Sequence, residues 1–358
     1  MSAQLKKVQT PLAEVKGKTA FITGGSSGIG LGIARVLSAA GMKVAFTYMS
    51  EKNRDRALAL FPADNPGVQA FRLNTTDRDG MVRVADEVGA AFGNVHLLVN
   101  NAGVGIPALL SQVSWQDWDW AIDVNVNGVL NGVRTFLPRM LAHGEGAHIM
   151  VTSSSAGIVA GMLGVYTTTK FAVVGMFESL RTELAGRNVG VSIYCPGLVR
   201  TEIFDAERNR PASHGRQGAA PAPPPLNPGS GVVDLMGSAM DPLEAGAQVL
   251  EGIRRNDLYI LSHPEWKPAV EQRFALMLDS FSKKPVPAGR REATKAITPD
   301  IYAVDLAKRV ALRAKKKVAV KRKVAKKKAA VKKKAAVRRK VSRVQRATRR
   351  RRSARRRG

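Results

Sequence analysis

The stretch Thr23-Gly24-Gly25-Ser26-Ser27-Gly28-Ile29-Gly30 decides how this chain folds. It follows an apolar run that predicts a buried strand, and it precedes residues 31–37, whose apolar spacing predicts a helix. Glycines between a strand and a helix allow a sharp turn, a close approach to a pyrophosphate and tight packing of the helix on the strand. The stretch therefore predicts a dinucleotide site in a parallel α/β sheet.

A tyrosine and a lysine far downstream indicate what chemistry this site performs. Tyr166 and Lys170 lie four residues apart in Tyr166-Thr167-Thr168-Thr169-Lys170, so a helix places them on one face. We expect the ammonium of Lys170 to lower the pKa of the Tyr166 phenol from its ordinary value of about 10. That change would provide a proton donor that works near neutral pH.

Five ordered motifs resemble the classical short-chain dehydrogenase/reductase family over residues 15–264. They are the glycine turn, Asn100-Asn101-Ala102-Gly103, Asn125-Val126-Asn127-Gly128, the Tyr166 and Lys170 pair, and Pro196-Gly197-Leu198-Val199-Arg200-Thr201. The resemblance implies a Rossmann-type α/β fold with a doubly wound parallel sheet in a single domain. It also implies an NAD(P)-dependent oxidoreductase that interconverts a small-molecule alcohol and a ketone or aldehyde, in a homodimer or homotetramer.

The resemblance assigns catalysis to four residues: Asn125, Ser154, Tyr166 and Lys170. Tyr166 would exchange a proton with the substrate oxygen, Lys170 would tune it and bind the nicotinamide ribose, and Asn125 would hold a water that links Lys170 to solvent. Ser153, Ser154 and Ser155 compete to polarise the substrate oxygen. The family's usual spacing to the tyrosine selects Ser153, whereas its Ser-x-Ala-Gly pattern selects Ser154. We favour Ser154, and alternate strand residues point to opposite faces, so the two choices are distinct.

The same motifs predict which residues bind the cofactor. The predicted set is Gly24, Ser26, Ser27, Gly28, Ile29, Gly30, Tyr48, Asn74, Asn101, Ala102, Gly103, Tyr166, Lys170, Pro196, Gly197, Val199 and Thr201. The family commonly has an aspartate beside the adenine, where this chain has Asn74. An amide is both donor and acceptor, so it can still pair with the edge of adenine.

The end of the second predicted strand, residues 43–48, indicates the choice of cofactor. An acidic residue there would bind the ribose 2'-hydroxyl of NAD and repel a 2'-phosphate. Tyr48 occupies the position, with Lys52 and Arg54 soon after it, although Glu51 is close. We therefore expect NADP to be preferred over NAD, and the alternative is that Lys52 and Arg54 are ordinary exposed cations of a helix.

The region after Thr201 is expected to shape the substrate pocket, over residues 202–257 of a catalytic domain at 15–285. Its stretch rich in proline and glycine, from Pro211 through Pro221-Ala222-Pro223-Pro224-Pro225 to Gly231, excludes a continuous helix and predicts a mobile lid. A disordered insertion without a role is the alternative. Asp241-Pro242 predicts the start of a helix, and residues 258–261 predict the last strand.

A basic tail of residues 308–358 follows a linker at 286–307, and residues 1–14 form an N-terminal extension. The tail holds 27 Lys or Arg and no acidic residue, whereas the remaining 307 residues hold 30 basic and 28 acidic side chains. Mutual repulsion predicts a disordered or partly helical tail. Its composition resembles the tails of linker histones and bacterial histone-like proteins.

A polycation of this kind binds DNA or another polyanion without sequence preference, because neutralised phosphates release counterions. An anchor to acidic lipids and a solubility tail are the alternatives. The tail also leaves a second class of function open, in which a nucleic-acid-associated protein uses the fold as a non-catalytic scaffold.

Composition excludes several other classes of protein. The chain has no run of 18 apolar residues, so we expect no membrane span, and its start lacks the apolar region of a secretory signal. Cys195 is the single cysteine, which excludes an internal disulfide and indicates a buried core residue. The five histidines show no metal-ligand spacing. We expect a cytoplasmic protein without a metal, and association with a nucleoid through the tail is left open.

Three tryptophans lie close together in the segment Ser114 to Trp120. Ser114 and Asp117 form a capping-box pattern that predicts the start of a helix. We expect Trp115, Trp118 and Trp120 to pack on the core or at a subunit interface rather than to bind a ligand.

Overall fold

The computed structural model of the chain describes residues 10–161, 163–215, 237–312 and 314. The chain forms two compact units, and the boundary between them lies between Thr298 and Pro299. The first unit contains all of the predicted catalytic and cofactor-binding residues. Most of the predicted lid and of the predicted tail, together with the first nine residues, lies outside the described residues.

A parallel sheet of seven strands forms the centre of the first unit. The strands β1 to β7 are Thr19–Ile22, Lys43–Tyr48, Val68–Arg72, Val95–Asn100, Ala147–Thr152, Val189–Tyr194 and Tyr259–Ile260. Their order in the sheet is β3-β2-β1-β4-β5-β6-β7, and every neighbouring pair is parallel. This topology confirms the predicted Rossmann-type, doubly wound fold.

In the part of the chain that the structure describes, nine labelled helices connect or follow these strands. They are α1 Gly28–Ala39, α2 Glu51–Leu58, α3 Arg78–Phe92, α4 Trp115–Ile122, α5 Gly128–His143, α6 Gly164–Glu183, α7 Pro242–Arg255, α8 Lys267–Asp279 and α9 Ala288–Ile297. Side chains cap α3, α4 and α7, where Asp77, Ser114 and Asp241 accept hydrogen bonds from backbone N–H groups of the first turn. The helix starts predicted at Ser114 and at Asp241-Pro242 are therefore confirmed.

The strand sequences are apolar because helices flank the sheet. Every residue of β1, β4, β5 and β6 is buried, as expected for a parallel sheet that is covered on both faces. The strand order reverses between β1 and β4, so the connections after these strands leave in opposite directions. A crevice therefore opens at their carboxyl ends, where ligands of such folds bind.

Two glycines allow α1 and α7 to touch through their backbones. A Cβ on Gly246 would lie 2.6 Å from the carbonyl oxygen of Gly32, and a Cβ on Gly32 would overlap the carbonyl oxygen of Pro242. This contact places the start of α7 against the helix that follows the glycine turn. The chain between β6 and α7 therefore ends close to the crevice.

The remaining described parts are short or helical. Between β6 and α7, the described residues include two single turns of 3-10 helix, at Ala206–Asn209 and Ala212–His214. In the second unit, residues 301–312 are helical. Among the described ranges, no helix is long and apolar enough to cross a membrane.

Candidate active site

In the turn between β1 and α1, the glycine positions leave no room for a side chain. Gly24 and Gly28 have φ angles of +64° and +52°, which L residues with a Cβ rarely adopt. A Cβ on Gly24 would lie 2.9 Å from Cα of Ala102, and a Cβ on Gly30 would overlap the backbone of Gly24 and the side chain of Asn101. The turn is therefore closely packed against the segment that follows β4.

The start of α1 provides donors for an anion. The Ser27 side chain occupies the N-cap position but makes no capping hydrogen bond, and the first turn has no acidic residue. Backbone N–H groups at a helix N-terminus attract phosphate, and here they face the crevice. This donor set fits the pyrophosphate of a dinucleotide.

Hydrogen bonds join the turn to the Asn-Asn-Ala-Gly segment. Thr23 Oγ1 accepts the backbone N–H groups of Asn101 and Ala102, each at 3.0 Å. The Asn101 amide donates to the carbonyl oxygens of Thr23 and Gly24, both at 3.2 Å. Asn101 Oδ1 accepts from the hydroxyl of Thr152 at 3.1 Å, which connects the segment to the end of β5.

Asn125 lies on a π-helical turn, Asp123–Asn127, between α4 and α5. Its Oδ1 accepts the backbone N–H of Val104 at 2.8 Å, and its Nδ2 donates to Val104 O at 2.9 Å and to Thr169 Oγ1 at 3.0 Å. The side chain therefore joins the segment after β4 to α6. The predicted role of Asn125 in holding a water remains a prediction.

The serines after β5 point in different directions, as the alternation of strand residues requires. Ser153 Oγ donates to the carbonyl oxygen of Lys170 at 2.9 Å. Ser154 Oγ accepts the backbone N–H of Ala156 at 3.1 Å, and the Ser154 hydroxyl acts to lower the pKa of the Tyr166 phenol. Ser155 donates its backbone N–H to Pro196 O at 2.7 Å. Ser154 is thus the serine of the three whose hydroxyl meets Tyr166.

Tyr166 and Lys170 share one face of α6, as their spacing predicts. Lys170 Nζ lies 5.5 Å from the centroid of the Tyr166 ring and donates to Thr152 O at 3.0 Å. Both side chains are buried, at 9% and 4% exposure. The ring of Phe204 has its centroid 6.3 Å from that of Tyr166.

The Pro196-Gly197 loop is held by a residue that was not singled out in the sequence. His263 Nδ1 accepts the backbone N–H of Gly197 at 2.9 Å, and its Nε2 donates to Leu198 O at 3.1 Å. This pattern requires the neutral imidazole with its proton on Nε2. His263 is far from the loop in sequence and follows β7, so no local pattern pointed to it.

The ribose end of the crevice lies at the end of β2. Arg54 stacks on the ring of Tyr48, with 5.4 Å between guanidinium carbon and ring centroid, and its Nη1 donates to the Tyr48 hydroxyl at 3.4 Å. Arg54 also pairs with Glu51 and with Asp55. The hydrogen bonds from Arg54 to Tyr48 and Asp55 raise the pKa of this guanidinium, so it is always charged.

A single cavity of about 940 Å³ brings most of the predicted residues together. Two of the predicted residues, Gly30 and Asn125, lie behind its surface. The others line it: Gly24, Ser26, Ser27, Gly28, Ile29, Tyr48, Asn74, Asn101, Ala102, Gly103, Ser154, Tyr166, Lys170, Pro196, Gly197, Val199 and Thr201.

The cavity also has an apolar side, and sequence reasoning located only those of its residues that follow Thr201. Its walls there are built by residues from α4, the π-helical turn after α4, the segment after β6, and the start of α8 with the residue before it: Trp120, Val124, Ile203, Phe204, Ala206, Trp266 and Ala269. Trp120 is 1% exposed and packs in a core cluster, as predicted, while Trp115 is 79% exposed and therefore does not pack on the core. In the described part of the chain, no group of three acidic, histidine or cysteine side chains could hold a metal ion.

Comparison with known proteins agrees with this geometry. The family model for short chain dehydrogenase matches residues 18–212. The C alpha-dehydrogenase of Sphingobium sp. (strain SYK-6) is 32% identical over 289 residues, which cover 80% of this chain and 94% of the relative. The chain belongs to the short-chain dehydrogenase family.

Solved structures of other short-chain dehydrogenases have the same fold. One from Novosphingobium aromaticivorans is 34% identical, covers 83% of this chain and 99% of its own, and superposes with a TM-score of 0.68. A short-chain dehydrogenase/reductase from Burkholderia phymatum in complex with NAD is also 34% identical, with the same TM-score, and covers 76% of this chain and 99% of its own.

Burial controls the ionisation of the central residues of this short-chain dehydrogenase. It raises the pKa of the Tyr166 phenol, and the hydrogen bond from Ser154 offsets part of that effect. Burial also lowers the pKa of Lys170 to about 8. The pKa of the Tyr166 phenol is therefore raised in this structure, whereas a lowering was expected, because the loss of hydration dominates and the Lys170 ammonium is directed at Thr152 O. Cys195, buried beside them, has its pKa raised to about 12 by the same cause.

The buried ammonium of Lys170 lowers stability, so we expect Lys170→Met to stabilise the fold while it abolishes turnover. Relief of a burial penalty of about 3 kcal/mol exceeds the loss of the Thr152 hydrogen bond, which leaves a gain of about 1–2 kcal/mol at pH 7. Between about pH 8 and the ordinary lysine value of 10.5, the unfolded chain binds more protons than the folded chain. The stability of the wild type should therefore rise toward that of the variant across this window.

Denaturant unfolding of both proteins at pH 7 and pH 10 measures the difference. Lys52→Met, at an exposed position of α2, is the control and should show no such convergence. A Lys170→Met protein that is less stable than wild type at pH 7 would contradict this account.

Proposed function

We propose that this chain catalyses the NAD(P)-dependent interconversion of an alcohol and a ketone or aldehyde. The observation that carries the proposal is the buried Tyr166 phenol, which lines one cavity together with Ser154, Lys170 and the glycine turn. A scaffold without catalysis would need the turn but not Tyr166 and Ser154.

The side chains around Tyr166 supply the proton chemistry of the reaction. The nicotinamide, when bound, supplies the hydride to the carbonyl carbon or accepts it from the alcohol. In the direction of reduction, Tyr166 gives its phenolic proton to the carbonyl oxygen, while the Ser154 hydroxyl donates a hydrogen bond to that oxygen. In the direction of oxidation, the phenolate removes the proton of the alcohol.

Lys170 and Asn125 support this proton transfer from behind. A charged Lys170 ammonium stabilises the phenolate that forms when Tyr166 gives up its proton. Asn125 holds the π-helical turn against Val104 and Thr169, and so fixes the position of α6 relative to the segment after β4.

The walls of the cavity beyond the phenol indicate the substrate class. Trp120, Phe204 and Trp266 present aromatic surface there, and Val124 and Ala206 present aliphatic surface. Burial of an apolar substrate against these side chains is favourable. We therefore propose a bulky, apolar or aromatic carbonyl compound as substrate.

Substitution of the proton donor and of the polarising serine tests the proposed chemistry. Tyr166→Phe removes the transferable proton and little volume, so kcat should fall by about 100-fold or more. Ser154→Ala should lower kcat by about 100-fold, while Ser153→Ala should have a far smaller effect. Steady-state rates over a panel of aldehydes, ketones and secondary alcohols, with cofactor titration of each variant, provide the measurement.

Cofactor affinity should remain nearly unchanged in these three variants, which serves as the control for folding. Wild-type turnover by Tyr166→Phe would sink the assignment of the proton donor. A larger loss in Ser153→Ala than in Ser154→Ala would reverse the choice of serine.

We also propose that NADP is preferred over NAD. The cavity at the end of β2 is lined by Tyr48, Met49, Ser50 and Asn53, none of which is acidic. The guanidinium of Arg54 lies against Tyr48, where it could meet a 2'-phosphate, although Glu51 and Asp55 already pair with it. The relative from Burkholderia phymatum was solved with NAD, so the preference rests on these residues alone.

The ratio of kcat/KM for NADPH and NADH measures the preference. We expect NADPH to be favoured, and Arg54→Ala to lower kcat/KM for NADPH by about tenfold, since one phosphate contact is lost, with little change for NADH. Arg56→Ala, which removes another exposed cation of the same helix, is the matched control. A clear preference of the wild type for NADH would refute the proposal.

For the tail we propose binding of DNA, or of another polyanion, without sequence preference. The proposal is supported by the 27 basic side chains of residues 308–358, which follow a part of the chain that is nearly neutral. Assembly into a homodimer or homotetramer would place several tails on one particle and increase the affinity by avidity. Such binding would associate the enzyme with nucleic acid in the cell, for example in a nucleoid.

Removal of residues 308–358 should abolish duplex binding and leave kcat/KM nearly unchanged. The full-length chain should lose affinity steeply with salt, with a log–log slope near −9 if about ten phosphates are engaged. Titration of a labelled duplex at several salt concentrations measures both effects, with anionic vesicles as the comparison polyanion. Duplex binding that survives the truncation would rule the proposal out.

A further inference from the structure

The apolar side of the cavity, where we propose that the substrate binds, has one wall that is formed by the segment after Thr201. A charged side chain, Arg210, lies in this segment. Ile203, Phe204 and Ala206 line the cavity and belong to the segment that follows Thr201. The same segment carries Arg210, whose side chain is only 7% exposed. Neither the proton transfer nor the cofactor contacts described above use this arginine.

Arg210 makes a set of contacts that uses the whole guanidinium. Its Nη2 pairs with Asp117 Oδ1 at 2.5 Å and with Glu207 Oε1 at 2.8 Å, and its Nε donates to Glu207 Oε2 at 2.8 Å. Its Nη1 donates to His214 O at 3.0 Å. The guanidinium carbon lies 4.0 Å from the centroid of the Trp120 ring, a cation–π contact.

These contacts join the segment to the opposite wall of the cavity. Asp117 is 1% exposed and lies in the first turn of α4, and Trp120 lies one turn later on the same helix. Trp120 also lines the cavity. Arg210 therefore fixes the distance between the segment after Thr201 and α4, which form two walls of the apolar side of the cavity.

Two further contacts, a backbone hydrogen bond and a His–Asp pair, hold the segment on either side of Arg210. Ile203 O accepts the backbone N–H of Gly105 at 3.1 Å. His214 Nε2 pairs with Asp123 Oδ2 at 3.0 Å, and Asp123 begins the π-helical turn that carries Asn125. The segment from Ile203 to His214 is thus tied to the catalytic side of the fold at both ends, with Arg210 between them.

We propose that Arg210 is a positioning residue that determines substrate selectivity. By holding the segment against α4, it fixes the width of the apolar side and lets the cavity distinguish bulky from small substrates. This inference rests on the proposed function. A planar guanidinium that forms paired hydrogen bonds and stacks on an aromatic ring cannot be replaced by a lysine ammonium.

Arg210→Met tests the proposal with two alcohols of different size, 1-phenylethanol and 2-propanol. We expect KM for 1-phenylethanol to rise about tenfold or more, while kcat/KM for 2-propanol changes by less than about threefold, because a small substrate does not fill the wall. The dissociation constant of NADPH should not change. Arg210→Lys should recover little of the lost selectivity.

A matched control and a second variant separate selectivity from folding. Arg139→Met removes an exposed Arg–Asp pair, Arg139 with Asp86 at 2.7 Å, that does not contact the cavity, and it should leave selectivity unchanged. The double variant Arg210→Met/Asp117→Asn also removes the charge of the buried carboxylate that loses its arginine, and it should show the same loss of selectivity as Arg210→Met.

Hydrogen exchange of the backbone amides measures how firmly Arg210 holds the segment, and this measurement does not depend on catalytic activity. Amides of residues 203–214 should exchange faster in Arg210→Met and in Arg210→Met/Asp117→Asn than in wild type or Arg139→Met. Unchanged exchange, or faster exchange with unchanged selectivity in an active protein, would overturn the inference and leave the proposed function intact. A wild-type protein that turns over no alcohol or carbonyl compound of the broader panel would overturn the proposed function, and the selectivity role with it.

Discussion

The site depends on a line of hydrogen bonds across the carboxyl ends of three neighbouring strands. Asn101 closes the turn after β1 through Thr23 O and Gly24 O, and its other amide atom accepts from Thr152 at the end of β5. Thr152 in turn accepts from Lys170 through its carbonyl oxygen. The glycine turn, which fits the pyrophosphate, and the ammonium beside Tyr166 are thereby held in one frame. Because the strands are parallel and adjacent, their carboxyl ends lie side by side. Short hydrogen bonds are therefore enough to connect the glycine turn to the ammonium of Lys170.

Sequence patterns predicted the fold and the position of this frame, because both rest on local spacing. Glycines between a strand and a helix, and a tyrosine four residues before a lysine, each require only neighbours in the chain. The choice between Ser153 and Ser154 could not be made in that way, since two opposed patterns differed by one residue and the strand alternation only showed that the choice mattered. The hydroxyl of Ser154 meets Tyr166, which favours the proposed role, whereas the hydroxyl of Ser153 is directed at Lys170 O.

Other properties of the site arise from residues that are distant in sequence. His263 follows the last strand yet holds the loop at Gly197, and Arg210 lies 93 positions from Asp117. The pKa of Lys170 depends on burial by several elements, so a helical spacing of two side chains predicted the wrong direction for Tyr166. When both groups are buried, the loss of hydration disfavours their charged forms, and here that loss decides the direction of both pKa shifts.

The π-helical turn at Asp123–Asn127 places a limit on chain length as well as on residue type. Such a turn contains one residue more than a regular helical turn, and α4 before it carries Trp120 while Asn125 within it reaches Val104 and Thr169. Loss of one residue here would restore a regular, narrower helical turn. Asn125 would then leave the position from which it reaches both Val104 and Thr169. The stretch is therefore intolerant of deletion even at positions where a change of side chain is harmless.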